Sequence, residues 1–593
     1  MQVSGNDGSY VKTSYDELDK STDLHYKFNG QRRDVYFHYS DKDNLPLDVK
    51  FGTDSKYIVE NNYDELTRLK FKTYTIPNTN SKINTSYSYV DWSSTENRTT
   101  GTVRGIDYTY VTGGLTTHDR WYTYDNVGNI LTEKVWTSDD TKPVQESYTY
   151  DAKNQLVRHD SATLKATYTY AYDAGGNITE KRTYAYTTGD LTGKTATKTV
   201  KYDYGNSAWG DELTSYNGES IVYDKIGNPT TYRGWTMGWE GRQLKSAGKN
   251  GTNLSFTYDS EGIRTSKTVG STTTKYLLNG TQILAQKTGS TTLSFFYDQQ
   301  GNRVAMADGN NNFYYYIYNV QGDVIALADA ATGKLAATYT YDAWGKIVKI
   351  NDQAPEKVAS TNIANINPFR YRGYYYDTET SLYYLQSRYY DPEVGRFINA
   401  DAFTSTDISG ALSANMFAYC ENNPVMRHDP NGEWAQILVG AAIGVLEQFV
   451  SDVAVAAITG KPLDECLSSV GTYVSAGLSG AFSTIPGCKA VSRVVQEGIS
   501  IYVGTTIDVA IGKKYSNNKE NVEKTRDPYA NMLVEGSKKV IANGASEYAA
   551  KKSKQLAKKG YKLLGSAVEQ AGKHAGNIVG FVSDVVFNLF GWA

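Results

Sequence analysis

The chain has 593 residues, 40% hydrophobic and 21% charged, which is the composition of folded protein and too long for one core. Its net charge of −3 hides an asymmetry: residues 434–593 carry 17 Lys+Arg against 13 Asp+Glu, and residues 1–433 carry 44 against 51. Three scattered cysteines (Cys420, Cys466, Cys488) and six dispersed histidines exclude a disulfide framework and a zinc site on spacing, so no metal and no cofactor is expected.

The opening MQVSGNDGSYVKTSYDELDK has no basic segment followed by an apolar run, so no Sec signal peptide is read. Export is expected by another route, or with Met1 inside a longer polypeptide. Tyr is the compositional outlier, 50 against 17 Phe, with 53 Gly and 12 Pro. That mixture suits sheet surfaces joined by tight turns.

Residues 1–350 repeat one phrase: aromatic-x-Tyr-Asp-x-x-Gly-Asn/Arg-apolar. Tyr122-Thr-Tyr124-Asp125 leads to Gly128-Asn129-Ile130, and Tyr170/Tyr172/Asp173 leads to Gly176-Asn177-Ile178. Further copies centre on Asp151, Asp224, Asp259, Asp298, Asn319 and Asp342. Alternating aromatics place both rings on one face of a strand. The Asp ends the strand and its carboxylate accepts turn N–H groups, Gly supplies positive φ, and the apolar residue starts the next strand. Each unit reads as a β-hairpin with its tyrosines used for packing. The spacing between successive copies is irregular, 26, 22, 51, 35, 39, 21 and 23 residues, and such units must stack to bury a face. The phrase resembles the YD repeat of RHS and teneurin-type proteins. That resemblance implies one long antiparallel ribbon spiralled into a hollow shell.

Residues 351–366 lack Tyr and Gly and read as a linker or a short plug segment. Residues 367–433 then carry Pro368-Phe369-Arg370-Tyr371-Arg372-Gly373, Gln386-Ser387-Arg388-Tyr389-Tyr390-Asp391-Pro392, Gly395-Arg396-Phe397, Asp401 and the closing Asp429-Pro430-Asn431-Gly432. These phrases resemble the RHS repeat-associated core. The resemblance implies a plug that closes the shell and, in some members, an aspartyl autoprotease that cuts just after the closing phrase, here between Glu433 and Trp434. Two carboxylates sharing one site divide into an acid and a water-activating base. Asp401, Asp429 and Asp391 are the candidate carboxylates, with Arg396 or Arg388 as electrostatic partner. Members that cut usually carry an apolar residue where this chain has Glu433.

Residues 434–593 hold 6 of the 50 Tyr and read as α-helical. Trp434–Gly460 is apolar and Ala/Gly-rich, but Glu447 and Asp452 interrupt it before a membrane-spanning length. Ser537–Gly576 is a basic helical pattern with nine Lys against two Glu. The resemblance as a whole implies a secreted or cell-surface bacterial polymorphic toxin: a mainly β shell carrying its own tail as cargo, with a cognate immunity protein as partner. Three readings of the tail stay open. It is an effector acting at a target-cell membrane, with nucleic acid the lesser alternative; an inert anchor of an adhesion protein; or an enzyme without a recognisable motif.

Overall fold

The computed structural model describes residues 2–437, apart from breaks at 5–6, 18–19, 43–44, 53–55, 78, 80, 94–97, 110–118, 137–141, 353–361, 402–414 and 434–435. The helical tail expected after residue 437 lies outside the described residues. What is described is antiparallel sheet, as the repeats predict. One meander of 18 strands runs from Gln2–Ser4 to Glu219–Ser220, and a second of 14 runs from Val222–Tyr223 to Ile347–Asp352.

The repeat phrase explains each corner. At the Asp125 turn, Asp125 Oδ1 accepts the Val127 and Asn129 N–H groups at 3.0 and 2.8 Å, and its Oδ2 accepts Asn129 Nδ2 at 2.8 Å. Gly128 takes φ +94° between them, a conformation that costs glycine nothing. The same pair of backbone N–H groups on Oδ1 recurs at Asp224, Asp298 and Asp342.

The tyrosine before each Asp does more than pack. Opposite that tyrosine the following strand carries a one-residue bulge. The tyrosine hydroxyl donates to the carbonyl of the first or second residue of an earlier strand. Tyr150 reaches Ile130 O at 2.8 Å, Tyr172 reaches Leu156 O at 2.6 Å, and Tyr258 reaches Leu244 O at 2.8 Å. Tyr297, Tyr318 and Tyr341 do the same to Ile283, Arg303 and Val324, each at 2.8 Å. Each repeat is thereby clipped to its predecessor. The long spacings conceal degenerate copies. Tyr204 clips to Ile178 O at 2.9 Å, and Trp239 supplies an indole N–H to Pro229 O at 2.7 Å in place of a tyrosine.

The meanders pack on each other through aromatic rings. Phe51 stacks on Phe296 at 4.7 Å between centroids, Tyr57 on Phe313 at 4.2 Å, and Tyr315 donates to Thr75 O at 2.6 Å. The strands Thr291–Tyr297, Phe313–Tyr318 and Val324–Asp329 are consequently buried on both faces. Their second face is covered by the segment from residue 362 onward, called the core module below. It begins with a four-residue helix, Ile363–Ile366, capped by Asn362. Four short strands follow, Tyr375–Asp377, Leu382–Tyr384, Tyr389–Asp391 and Arg396–Phe397.

Buried arginines dock this module. At two repeats the apolar residue that opens the strand is replaced by arginine, Arg264 and Arg303. Arg264 is 1% exposed and pairs with Asp377 at 2.6 Å. Arg303 lies 3.2 Å over the Phe369 ring. The first meander contributes too: Tyr202 donates to Val394 O at 3.1 Å, and Asn423 Nδ2 reaches Asn129 Oδ1 at 2.8 Å. Among the described residues no helix is long and apolar enough to cross a membrane.

Candidate functional site at the end of the core module

The closing phrase Asp429-Pro430-Asn431-Gly432 folds into a turn, after which Gln436–Ile437 runs back antiparallel to Arg427–His428. Gly432 is required there. Its φ is +76°, and a Cβ would fall 2.8 Å from Ser387 Oγ and 2.9 Å from Leu385 O. Ser387 fastens the turn through its N–H and Oγ, both bonded to Asn431 O.

One guanidinium organises what surrounds the turn. Arg388 Nε donates to the Gly432 carbonyl, and Nη1 donates to Met416 O at 3.2 Å. Nη1 also lies 3.3 Å from Asp401 Oδ2, and Nη2 lies 3.1 Å from Asp429 Oδ2. The guanidinium stacks 3.5 Å over the Phe397 ring. Only arginine has a planar fork that serves several acceptors while stacked on a ring. Asp429 is buried, and its Oδ1 accepts the N–H groups of Gly432 and Glu433 at 2.8 and 3.0 Å. Asp429 N–H in turn donates to the Tyr374 hydroxyl at 2.7 Å. Burial, then the neighbouring Cys420 and Asp429, push that hydroxyl well above the usual tyrosine range, so it stays neutral. Asp401 is less enclosed, with a side chain 16% exposed, and its N–H is fixed to Met416 O at 3.0 Å.

Two of the three expected carboxylates, Asp401 and Asp429, therefore meet at Arg388. Asp391 does not. It pairs with Arg233 at 2.8 Å and Tyr232 at 3.0 Å, and caps its own turn through the Glu393 N–H. Arg396 is also elsewhere, bound to Asn177 Oδ1, Tyr204 Oη and Asp211 O at 2.7–3.0 Å. It bears on the site indirectly, because Asn177 Oδ1 also accepts Asn415 Nδ2 at 2.8 Å, next to Met416. Glu433 follows Gly432 directly, with its carboxylate 3.1 Å from Asn431 Nδ2; Trp434 lies outside the described residues. Sequence reasoning missed Tyr374, Ser387, Phe397 and the Met416 carbonyl. Ser387 and Phe397 stand inside the quoted core phrases, Tyr374 directly follows Gly373, and the Met416 carbonyl has no side-chain signal. Among the described residues no group of three or more His, Cys, Asp or Glu could hold a metal ion.

The teneurin YD-shell model matches residues 20–425. This chain belongs to the teneurin YD-shell family. Among YD-shell relatives it is similar to the tRNA nuclease WapA of Bacillus subtilis (strain 168), 29% identical over 439 residues, covering 72% of this chain and 17% of the relative. It is also similar to the double-stranded DNA deaminase toxin A of Burkholderia cenocepacia (strain H111), 24% identical over 343 residues, 53% of this chain and 22% of that one. The solved TcdB2-TccC3-Cdc42 structure superposes with a TM-score of 0.58 at 18% identity, over 72% of this chain and 22% of that one. This chain thus spans about a fifth of the length of each of these proteins.

Proposed function

We propose that this YD-shell protein is an RHS-type polymorphic toxin whose shell encloses residues 434–593 as cargo, and that its core module frees the cargo by cutting its own backbone after Glu433. The observation that carries this reading is the convergence of Asp401, Asp429 and Arg388 on the turn at Gly432–Glu433. Two carboxylates beside one guanidinium are the equipment for water-dependent peptide hydrolysis. Relatives whose names call them toxins match just over half of this chain. Freshly purified full-length protein should run on a denaturing gel as fragments of about 433 and 160 residues, the lengths on either side of that bond, and Asp401→Asn should run only as the intact chain. Intact wild-type protein would leave the core module as a plug without chemistry.

The cargo is proposed to act at a target-cell membrane, on the strength of its basic Ser537–Gly576 stretch and the apolar segments around it. A cognate immunity protein is its expected partner in the producing cell. Fold alone does not decide the cargo's activity. Producing residues 434–593 inside bacteria while following a membrane-potential dye separates the readings. Arrest with depolarisation supports membrane action, arrest without it indicates an enzyme, and no arrest favours an adhesion protein.

A further inference from the structure

We infer that the repeat sheets themselves set the position of Asp401: Arg242 and the Gly227 carbonyl, at two corners of the second meander, hold the backbone at Ala400, so cutting is conditional on those corners having met the core module. This rests on the self-cleavage reading, with its bond between Glu433 and Trp434 unchanged, and gives control of that step to residues outside the core module.

The two carboxylates at Arg388 are held in different ways. The partners of Asp429 described above are Arg388, Tyr374 and the N–H groups of its own turn, all within the core module. Asp401 ends the segment 398–401, and that segment is fastened to the sheets. Ala400 N–H donates to Gly227 O at 2.9 Å, and Ala400 O accepts Arg242 Nη1. Both backbone groups of the residue before Asp401 therefore end on the second meander, one on the Asp224 corner and one on the turn between Trp235–Glu240 and Gln243–Lys249. Those two corners are tied to each other, since Asn228 Nδ2 donates to Gly241 O at 2.8 Å. The other side of Asp401 depends on the first meander. Its N–H donates to Met416 O, and Asn415 donates to Gly175 O at 3.1 Å and to Asn177 Oδ1 at 2.8 Å.

The Gly227 corner leaves no slack. Gly227 has φ +80°, and a Cβ there would fall 2.6 Å from Ala400 Cβ, 2.9 Å from the Trp209 ring and 3.4 Å from the Phe417 ring. Phe417, the residue after Met416, packs on Trp209 and Tyr223 with centroids 5.9 and 5.6 Å apart. Arg242 is partly enclosed. Burial lowers its pKa, Asp401 and then Asp224 oppose that, and Arg388 adds to it, so its guanidinium stands in the field of both Asp401 and Arg388. Its hydrogen bond nonetheless goes to the Ala400 carbonyl, which makes it a positioning residue. A reacting group displaced by about 1 Å can lose about 100-fold in rate. Before the corners meet the module, Asp429 and Arg388 can be in place while Asp401 is not.

Cell-free synthesis of the 593-residue chain, sampled over time on a denaturing gel, gives the rate of cutting. Thermal midpoints of the same substitutions in an uncut Asp401→Asn chain report folding separately. Arg242→Met, which removes the donor, and Gly227→Ala, which pushes on Ala400, should each slow cutting by about 10–100-fold. Arg242→Lys, which keeps a donor for Ala400 O, should restore most of the wild-type rate. Gly128→Ala imposes the same left-handed strain where a Cβ meets nothing within 4 Å, and should cut at the wild-type rate. Wild-type rates in both Arg242→Met and Gly227→Ala, equal slowing in Gly128→Ala, or no gain from lysine over methionine would overturn the positioning role and leave self-cleavage standing. A wild-type chain that stays intact would overturn both.

Discussion

Asp377 is ionised in the folded chain although it is buried. Burial alone would raise its pKa, but Arg264 and then Lys267 more than offset that and hold the carboxyl below its usual range. A depressed folded value stabilises the fold fully above the unfolded carboxylate value, about 3.9, and the contribution disappears as pH falls through the lower folded value. Asp377→Asn would leave Arg264 and Lys267 facing a neutral amide, at a cost of about 3–5 kcal/mol. Urea denaturation should show that deficit at pH 7 and a progressively smaller one as pH falls below about 3.9. The hydroxyl clips are worth less apiece. Tyr150→Phe removes the donor to Ile130 O and should cost about 1 kcal/mol, measured as a lower thermal midpoint without loss of sheet. The phrase made the turn aspartates readable, because their partners lie within four residues. The clip partners lie 14 to 26 residues away, across a bulge that no local pattern announces.

At the scale of the hairpin, chemically identical glycines differ by what stands beside them. Gly128 and Gly345 hold φ +94° and +85°. A Cβ on Gly128 meets nothing within 4 Å, whereas one on Gly345 would fall 2.4 Å from the Tyr371 ring of the core module. Gly128→Ala should cost only the left-handed strain, about 1–2 kcal/mol. Gly345→Ala adds a clash with a packed ring and should exceed about 3 kcal/mol, read as a shift in denaturation midpoint. Hairpin positions were legible from Tyr-Asp and Gly. The concealed copies at Tyr204 and Trp239 were not, since one lacks the full phrase and the other replaces tyrosine with an indole donor.

The whole molecule depends on its last described segment. Phe295 and Tyr316 contact Phe369 and Asn367, so a chain ending at residue 350 would expose one face of the doubly buried strands. It should bind a hydrophobic dye and aggregate, whereas a chain ending at residue 433 should do neither. Dye binding equal in the two would mean that the core module does not cover those strands. Asp401 and Asp429, both named from the core phrases, each contact Arg388 although they are 28 positions apart. The placement of Asp391 and Arg396 was not foreseen, because their partners, Arg233 and Asn177, lie more than 150 residues upstream and only the closed meanders bring them near.

The dependence of the carboxylate site on Arg388 and Gly432 also acts as a clock during synthesis. Ribosomes deliver the sheets first, at roughly 5–20 residues per second, and the doubly buried strands wait several seconds for the module that covers them. The residues that gather around Arg388 include Gly432, nearly the last of the module to emerge. The site therefore cannot exist on a nascent chain that stops short of Gly432, and a ribosome that stalls early leaves the two carboxylates without their common arginine contacts to the closing turn.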